Sequence, residues 1–133
     1  LALRSAITPV KKQLVAPASR AKKNSKVCFT PPHNPEASPF YFPIYVDAKK
    51  INCSVINFAK AVRAEGIPLN PSYRYLVYDW PWVKPYLADN FHTPNARDAR
   101  DGSFCLYLNE KYGNVEAQQV LEAITKVERY YSV

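Results

Sequence analysis

Residues 54–68 constrain this chain more than any other stretch. Val55, Phe58, Ala59 and Val62 recur at the i, i+3, i+4, i+7 spacing of one helical face. Ser54 stands where an N-cap is wanted, since its side-chain oxygen can accept an amide hydrogen of the first turn. At the other end Gly66 can take the left-handed conformation that stops a helix, Ile67 can fold back on Val62, and Pro68 prevents continuation. The pattern predicts a helix over about 54–65 with one apolar face, and such a face must be buried against another element.

The partners for that face can be sought along the chain. Residues 103–108, Ser-Phe-Cys-Leu-Tyr-Leu, are apolar on both faces and read as a covered strand. Gly113 breaks the chain, and Asn114 reads as the cap of a last helix. Glu116 sits in its first turn, where the helix dipole favours an anion. The stripe of that helix is Ala117, Val120, Leu121, Ile124 and Val127. Ahead of the first helix, residues 40–47 are aromatic and β-branched, which favours a strand. Pro43 has no N–H for the ladder, so it predicts an edge strand or a bulge. A short strand is expected at Tyr73–Tyr78. Pro81, Pro85 and Pro94 predict irregular chain over 79–101, and residues 27–39, rich in Pro, Asn and Ser, read as a linker. The expected architecture is α+β, a small, mostly antiparallel three-stranded sheet with two or three helices packed on one face.

With 133 residues the chain suits one small core. Residues 1–39 are read as a basic leader and Pro-rich linker, and residues 40–133 as the folded domain. The net charge of +7 is concentrated at one end: Arg4, Lys11, Lys12, Arg20, Lys22, Lys23 and Lys26 lie in the first 26 residues with no acid among them. The remainder is neutral. Such a leader can neutralise the phosphates of a polyanion, or it can be a solvated charge run, the commoner case. Its spacing of Leu3, Ile7, Val10 and Leu14 is helix-like, although Pro9 and Pro17 interrupt it. The three cysteines, Cys28, Cys53 and Cys105, are odd in number and form no C-x-x-C, which argues against a disulfide framework or a zinc site. Cys105 is read as a core residue, and reduced thiols point to the cytoplasm. No apolar run approaches the roughly 20 residues of a membrane helix. The chain lacks methionine and begins Leu1-Ala2-Leu3, from which we expect a piece of a longer protein or a processed product. Removal of a signal peptide is the main alternative to truncation.

Catalytic motifs are missing. The three glycines are isolated, and neither H-E-x-x-H nor G-x-S-x-G occurs. His33 and His92 fall in different loops, and the carboxylates are scattered. No catalytic or metal-ligating residue is therefore named. One segment is unusual: Tyr73, Tyr75, Tyr78, Trp80, Trp82, Tyr86 and Phe91 fall within 19 residues, interleaved with Arg74, Lys84, His92, Asn95 and Arg97. Such a loop can line a polar pocket, or it can cover a sheet or a subunit interface with its rings. Aromatics mixed with Arg also suit single-stranded nucleic acid, but the segment is too weakly basic for that, and nucleic acid is disfavoured as its partner.

From Phe40 to Val133 the chain resembles the C-terminal domain of the DegT/DnrJ/StrS-type aminotransferases, of fold type I. Four pieces carry the resemblance. They are Phe-Tyr-Phe-Pro-Ile-Tyr-Val-Asp (40–47), Phe-Ala-Lys-Ala-Val-Arg-Ala-Glu-Gly-Ile (58–67), the Tyr- and Trp-rich stretch after it, and Ser-Phe-Cys-Leu-Tyr-Leu-Asn-Glu-Lys-Tyr-Gly (103–113) followed by Ala-Ile-Thr-Lys-Val-Glu (123–128). Their order and spacing resemble the family's first small-domain strand, its helix with a Gly-Ile stop, its active-site loop and its closing strand and helix. The resemblance implies transfer of an amino group from an amino-acid donor, typically glutamate, to a nucleotide-linked keto-sugar, with pyridoxal 5'-phosphate as the cofactor. It places the catalytic lysine and the cofactor contacts in a large N-terminal domain, and no lysine of this chain matches that lysine. This chain alone is then expected to bind no cofactor and to be inactive. Its role would be to wall the substrate site, with Tyr73 as the first candidate for substrate contact and Arg74, Tyr75 and His92 behind it. The implied partners are the large domain and a second subunit of a homodimer. Residues 1–26 are the place for a remnant of the family's inter-domain helix. The competing reading is a non-enzymatic α+β module that uses the basic leader to bind a polyanion such as nucleic acid.

Overall fold

The computed structural model describes residues 25–30, 41–73, 75–88, 91–108 and 112–133. The leader up to residue 24, residues 31–40 and Arg74 lie outside them, so what was read there, including the inter-domain helix remnant, has no structural counterpart below.

The strands are β1 (Cys28–Phe29), β2 (Tyr41–Val46), β3 (Leu69–Asn70) and β4 (Ser103–Tyr107), and the helices are α1 (Val55–Ala64), α2 (Pro94–Asp101) and α3 (Asn114–Tyr131). The strands form one sheet in the order β1-β2-β4-β3, with every neighbouring pair antiparallel. The fold is therefore α+β as expected, with four strands where three were predicted. The fourth, β1, comes from the stretch read as linker. Two residues are too short to show a period, and their strand character comes from pairing with Tyr45 and Val46.

Register puts Cys28, Phe42, Ile44, Val46, Phe104 and Leu106 on one face of the sheet. All six are buried. Against that face lie Val55, Phe58, Ala59 and Val62 of α1 and Ala123, Ile124 and Val127 of α3. Phe58 is the centre of this core, with its ring centroid 6.5 Å from Phe104 and 6.4 Å from Tyr131. The caps of α1 follow the reading: Ser54 accepts the Asn57 amide at 3.2 Å, and Gly66, at φ +91°, donates its own amide to Arg63.

Four local expectations change. The strand expected at Tyr73–Tyr78 is found earlier, at Leu69–Asn70, where buried Leu69 pairs with Leu106; Val77–Asp79 forms a 3₁₀ turn instead. Exposed Tyr75 and Val77 have no buried face that a strand would need. Residues 79–101 are not wholly irregular, because Pro94 starts α2 rather than breaking it; at the first helical positions its missing N–H costs nothing. Asn114 is the first residue of α3, and Gly113 occupies the cap position. The Gly113 N–H donates to Glu116 Oε2 at 2.7 Å, which holds the Glu116 carboxyl below its ordinary range. Finally, β2 is not an edge strand by order, but β1 reaches only Tyr45 and Val46, so Pro43 lies beyond the end of β1. Cys105 is buried, as read from its apolar run. Among the described residues no helix is long and apolar enough to cross a membrane.

Candidate functional site

The aromatic segment folds as a succession of tight turns between β3 and α2. Amide hydrogens of Asp79, Trp80 and Val83 bond back to Leu76, Trp80 and Val77 carbonyls in i→i−3 pairs, namely Asp79 to Leu76 (2.9 Å), Trp80 to Val77 (3.2 Å) and Val83 to Trp80 (3.0 Å). Pro85 lies in the first turn of a further 3₁₀ turn at Lys84–Tyr86, where a fixed φ suits it. Side chains in such a run cannot all point one way, and several large rings remain in solvent, Tyr75, Trp82, Tyr86 and Phe91 among them.

The rings pair with one another. Tyr73 and Tyr75 meet edge to face with centroids 6.2 Å apart, Trp80 and Trp82 lie 5.0 Å apart, and Tyr78 and Phe91 meet edge to face at 6.5 Å. Polar contacts then join the segment to α2. Arg97 donates to the Tyr78 hydroxyl oxygen from Nε (3.0 Å) and Nη2 (2.6 Å). Arg100, one turn further along the same helix face, pairs with Asp79 at 3.2 Å and with Asp101 at 2.7 Å. The Ser103 hydroxyl donates to the Ala99 carbonyl at 2.6 Å, which ties the end of α2 to β4. The chain of contacts thus runs from loop to helix to the central strand of the sheet. The Tyr78 contact pushes the Arg97 guanidinium further towards its charged form, and the Arg100 bond holds the Asp101 carboxyl below its ordinary range.

The residues singled out from sequence meet this geometry unevenly. Tyr73 and Tyr75 are brought together by their rings. His92 is exposed on the stretch leading into α2 and has no hydrogen-bonding or ionic partner among the described residues. Arg74 lies outside the described residues. Tyr78, Asp79, Arg97 and Arg100 carry the polar contacts of the site; the sequence reading named Tyr78 and Arg97 only as members of the aromatic segment and did not single out Asp79 or Arg100. The available signal was the i, i+3 spacing of Arg97 and Arg100, which makes sense only once Tyr78 and Asp79 are known to lie beside α2.

Two shallow grooves flank the end of α3, about 500 Å³ beside Glu65, Lys126 and Tyr130 and about 820 Å³ beside Lys26, Lys50 and Arg129. Neither is lined by a residue of the aromatic segment. Among the described residues no group of His, Cys, Asp and Glu could hold a metal ion. The described lysines, Lys26, Lys49, Lys50, Lys60, Lys84 and Lys126, are all exposed. A lysine that carries pyridoxal phosphate must be desolvated beside an anchor for the phosphate, so the described residues do not fit that cofactor.

No family model matches the chain, and no curated protein matches it. Solved structures do. Spr1654 from Streptococcus pneumoniae, a protein assigned as a sugar aminotransferase, superposes in its PMP form with a TM-score of 0.74 at 17% identity over 95% of this chain. Its apo form gives 0.74 at 16% identity over 96%. The aminotransferase TlmJ from Streptoalloteichus hindustanus gives 0.67 at 13% identity over 92%. Each match takes up 32% of the neighbour's chain, so this chain spans about a third of the length of these structures. At such identities the likeness is one of fold.

Proposed function

We propose that this chain is the C-terminal small domain of a pyridoxal-phosphate-dependent aminotransferase of the DegT/DnrJ/StrS type that acts on a nucleotide-linked keto-sugar. The observation that carries the reading is the shared fold: nearly the whole chain superposes on about a third of proteins assigned as aminotransferases. The resemblance of residues 40–133 points the same way and supplies the finer substrate class. In this reading the large domain binds the cofactor and does the transfer chemistry, and a second subunit completes the enzyme in the cytoplasm. This chain supplies a wall. Its aromatic segment, held to α2 and β4, presents Tyr73 and Tyr75 to the sugar, with Arg74 and His92 as further contacts.

Two experiments test this. Incubating the chain with pyridoxal phosphate and reducing with borohydride should label no single lysine; a stoichiometric adduct at one lysine overturns the division of labour. In the polypeptide that carries both domains, Tyr73→Phe should raise KM for the nucleotide-sugar and leave the half-reaction with the amino donor unchanged. An unchanged KM, or a loss confined to the donor half-reaction, removes Tyr73 from the substrate wall.

A further inference from the structure

We propose that Tyr78 and Arg97 form a binding couple for an anionic oxygen, the phosphate or carboxylate of a small ligand. Arginine has only donors, so the two bonds from Arg97 at 3.0 and 2.6 Å must both be accepted by the Tyr78 oxygen. They occupy its two lone pairs. The Tyr78 hydroxyl hydrogen then points away from Arg97, and among the described residues it has no acceptor. A hydroxyl whose oxygen accepts charge-assisted bonds is a stronger donor than a free phenol.

Arg97 is in a matching state. The carboxylates nearby make their direct ion pairs elsewhere: Asp79 and Asp101 both pair with Arg100, at 3.2 and 2.7 Å, and reach Arg97 only through space. No carboxylate of the described residues pairs with Arg97, and its Nη1 hydrogens have no partner there either. The couple therefore offers an O–H and a free N–H pair on a guanidinium that Asp79 and Asp101 offset through space without bonding to it. Phe91 meets the Tyr78 ring edge to face at 6.5 Å with an interplanar angle of 70°, which restrains the phenol's orientation. An anionic oxygen is the group that this set of donors lacks. Arg97 alone would be an ordinary surface cation; the doubly accepting phenol distinguishes the pair.

The proposal stands apart from the aminotransferase reading, because it can be measured on this chain without cofactor. Trp80 and Trp82 are the only tryptophans and lie in the same segment, so their emission reports on it. The chain is titrated with sodium diphosphate and, separately, with sodium glutamate at constant ionic strength, by Trp fluorescence and by calorimetry. At least one should bind saturably. A response to diphosphate assigns a phosphate ligand, and a response to glutamate assigns a carboxylate. Arg97→Gln should weaken binding by more than about tenfold, Tyr78→Phe by about tenfold, and Arg97→Lys by less than Arg97→Gln. Lys84→Gln, in the same segment, should stay within about twofold, since one exposed charge contributes little. The proposal is overturned if neither anion binds saturably, if Tyr78→Phe leaves affinity unchanged, or if Lys84→Gln costs as much as Arg97→Gln.

Discussion

The Ser25 hydroxyl donates to Glu128 Oε2 at 2.5 Å, across 103 residues of sequence. The other carboxylate oxygen accepts the Lys26 amide at 2.8 Å, and Ser25 in turn accepts the Cys28 amide at 2.7 Å. One buried carboxylate on α3 thus fixes the chain as it enters β1. Glu128→Ala should leave two donors without an acceptor and destabilise the domain by about 2–3 kcal/mol, because a buried unsatisfied group costs more than a lost bond returns. Chemical denaturation measures it. A change below about 0.5 kcal/mol would mean that the clasp is idle.

Phe58 is fully buried and touches both the sheet, through Phe104, and the end of α3, through Tyr131. Phe58→Ala should cost about 3–5 kcal/mol, the range for emptying an aromatic site in a packed core. A loss of that size is a large share of a small domain's stability. The expected readout is a lowered denaturation midpoint, or failure to fold.

At Gly66 the surroundings leave room, with nothing within 4 Å of an added Cβ, but φ is +91°. Gly66→Ala therefore isolates backbone strain from steric clash. The expected cost is about 1–2 kcal/mol. A neutral substitution would show that the turn relaxes.

Burial pushes the Cys28 thiol up from 9.0 to about 12, with the Glu128 carboxylate adding to the effect and the Ser25 hydrogen bond opposing it. The unfolded chain releases this proton above about pH 9 while the folded chain retains it, so stability present below pH 9 is lost as pH rises towards 12. Cys28→Ala should flatten that part of the alkaline fall. In the native protein at pH 8, half-buried Cys53 should react with a thiol reagent before buried Cys28 and Cys105. Equal rates for all three would contradict the burial.

Elements whose causes are local were legible in order of residues alone. Ser54, the Val55–Phe58–Ala59–Val62 face and Gly66 define α1 within one short stretch, and the apolar run 103–108 identified the strand that became central, Ser103–Tyr107. Pro94 shows the limit of that approach. Proline disrupts a helix interior and favours a helix start, and only the surrounding chain says which position it holds. The candidate site divides in the same way. Its aromatic richness was visible, and Tyr73 and Tyr75 do meet, whereas the Tyr78–Arg97 and Asp79–Arg100 contacts span 19 and 21 residues and leave no periodic trace.

The sequence by itself determined the two core-forming helices, the central strand and the α+β class, because apolar spacing and capping chemistry act over a few residues. Tertiary structure decided the rest. It made a strand of Cys28–Phe29 by giving them β2 to pair with, and set the order β1-β2-β4-β3. It turned Glu128 inward to hold Ser25, and brought Arg97 to a phenol instead of a carboxylate. The physical reason is common to all four. A pairing between distant residues is selected by what remains unsatisfied once the core has closed, and that remainder exists only in three dimensions.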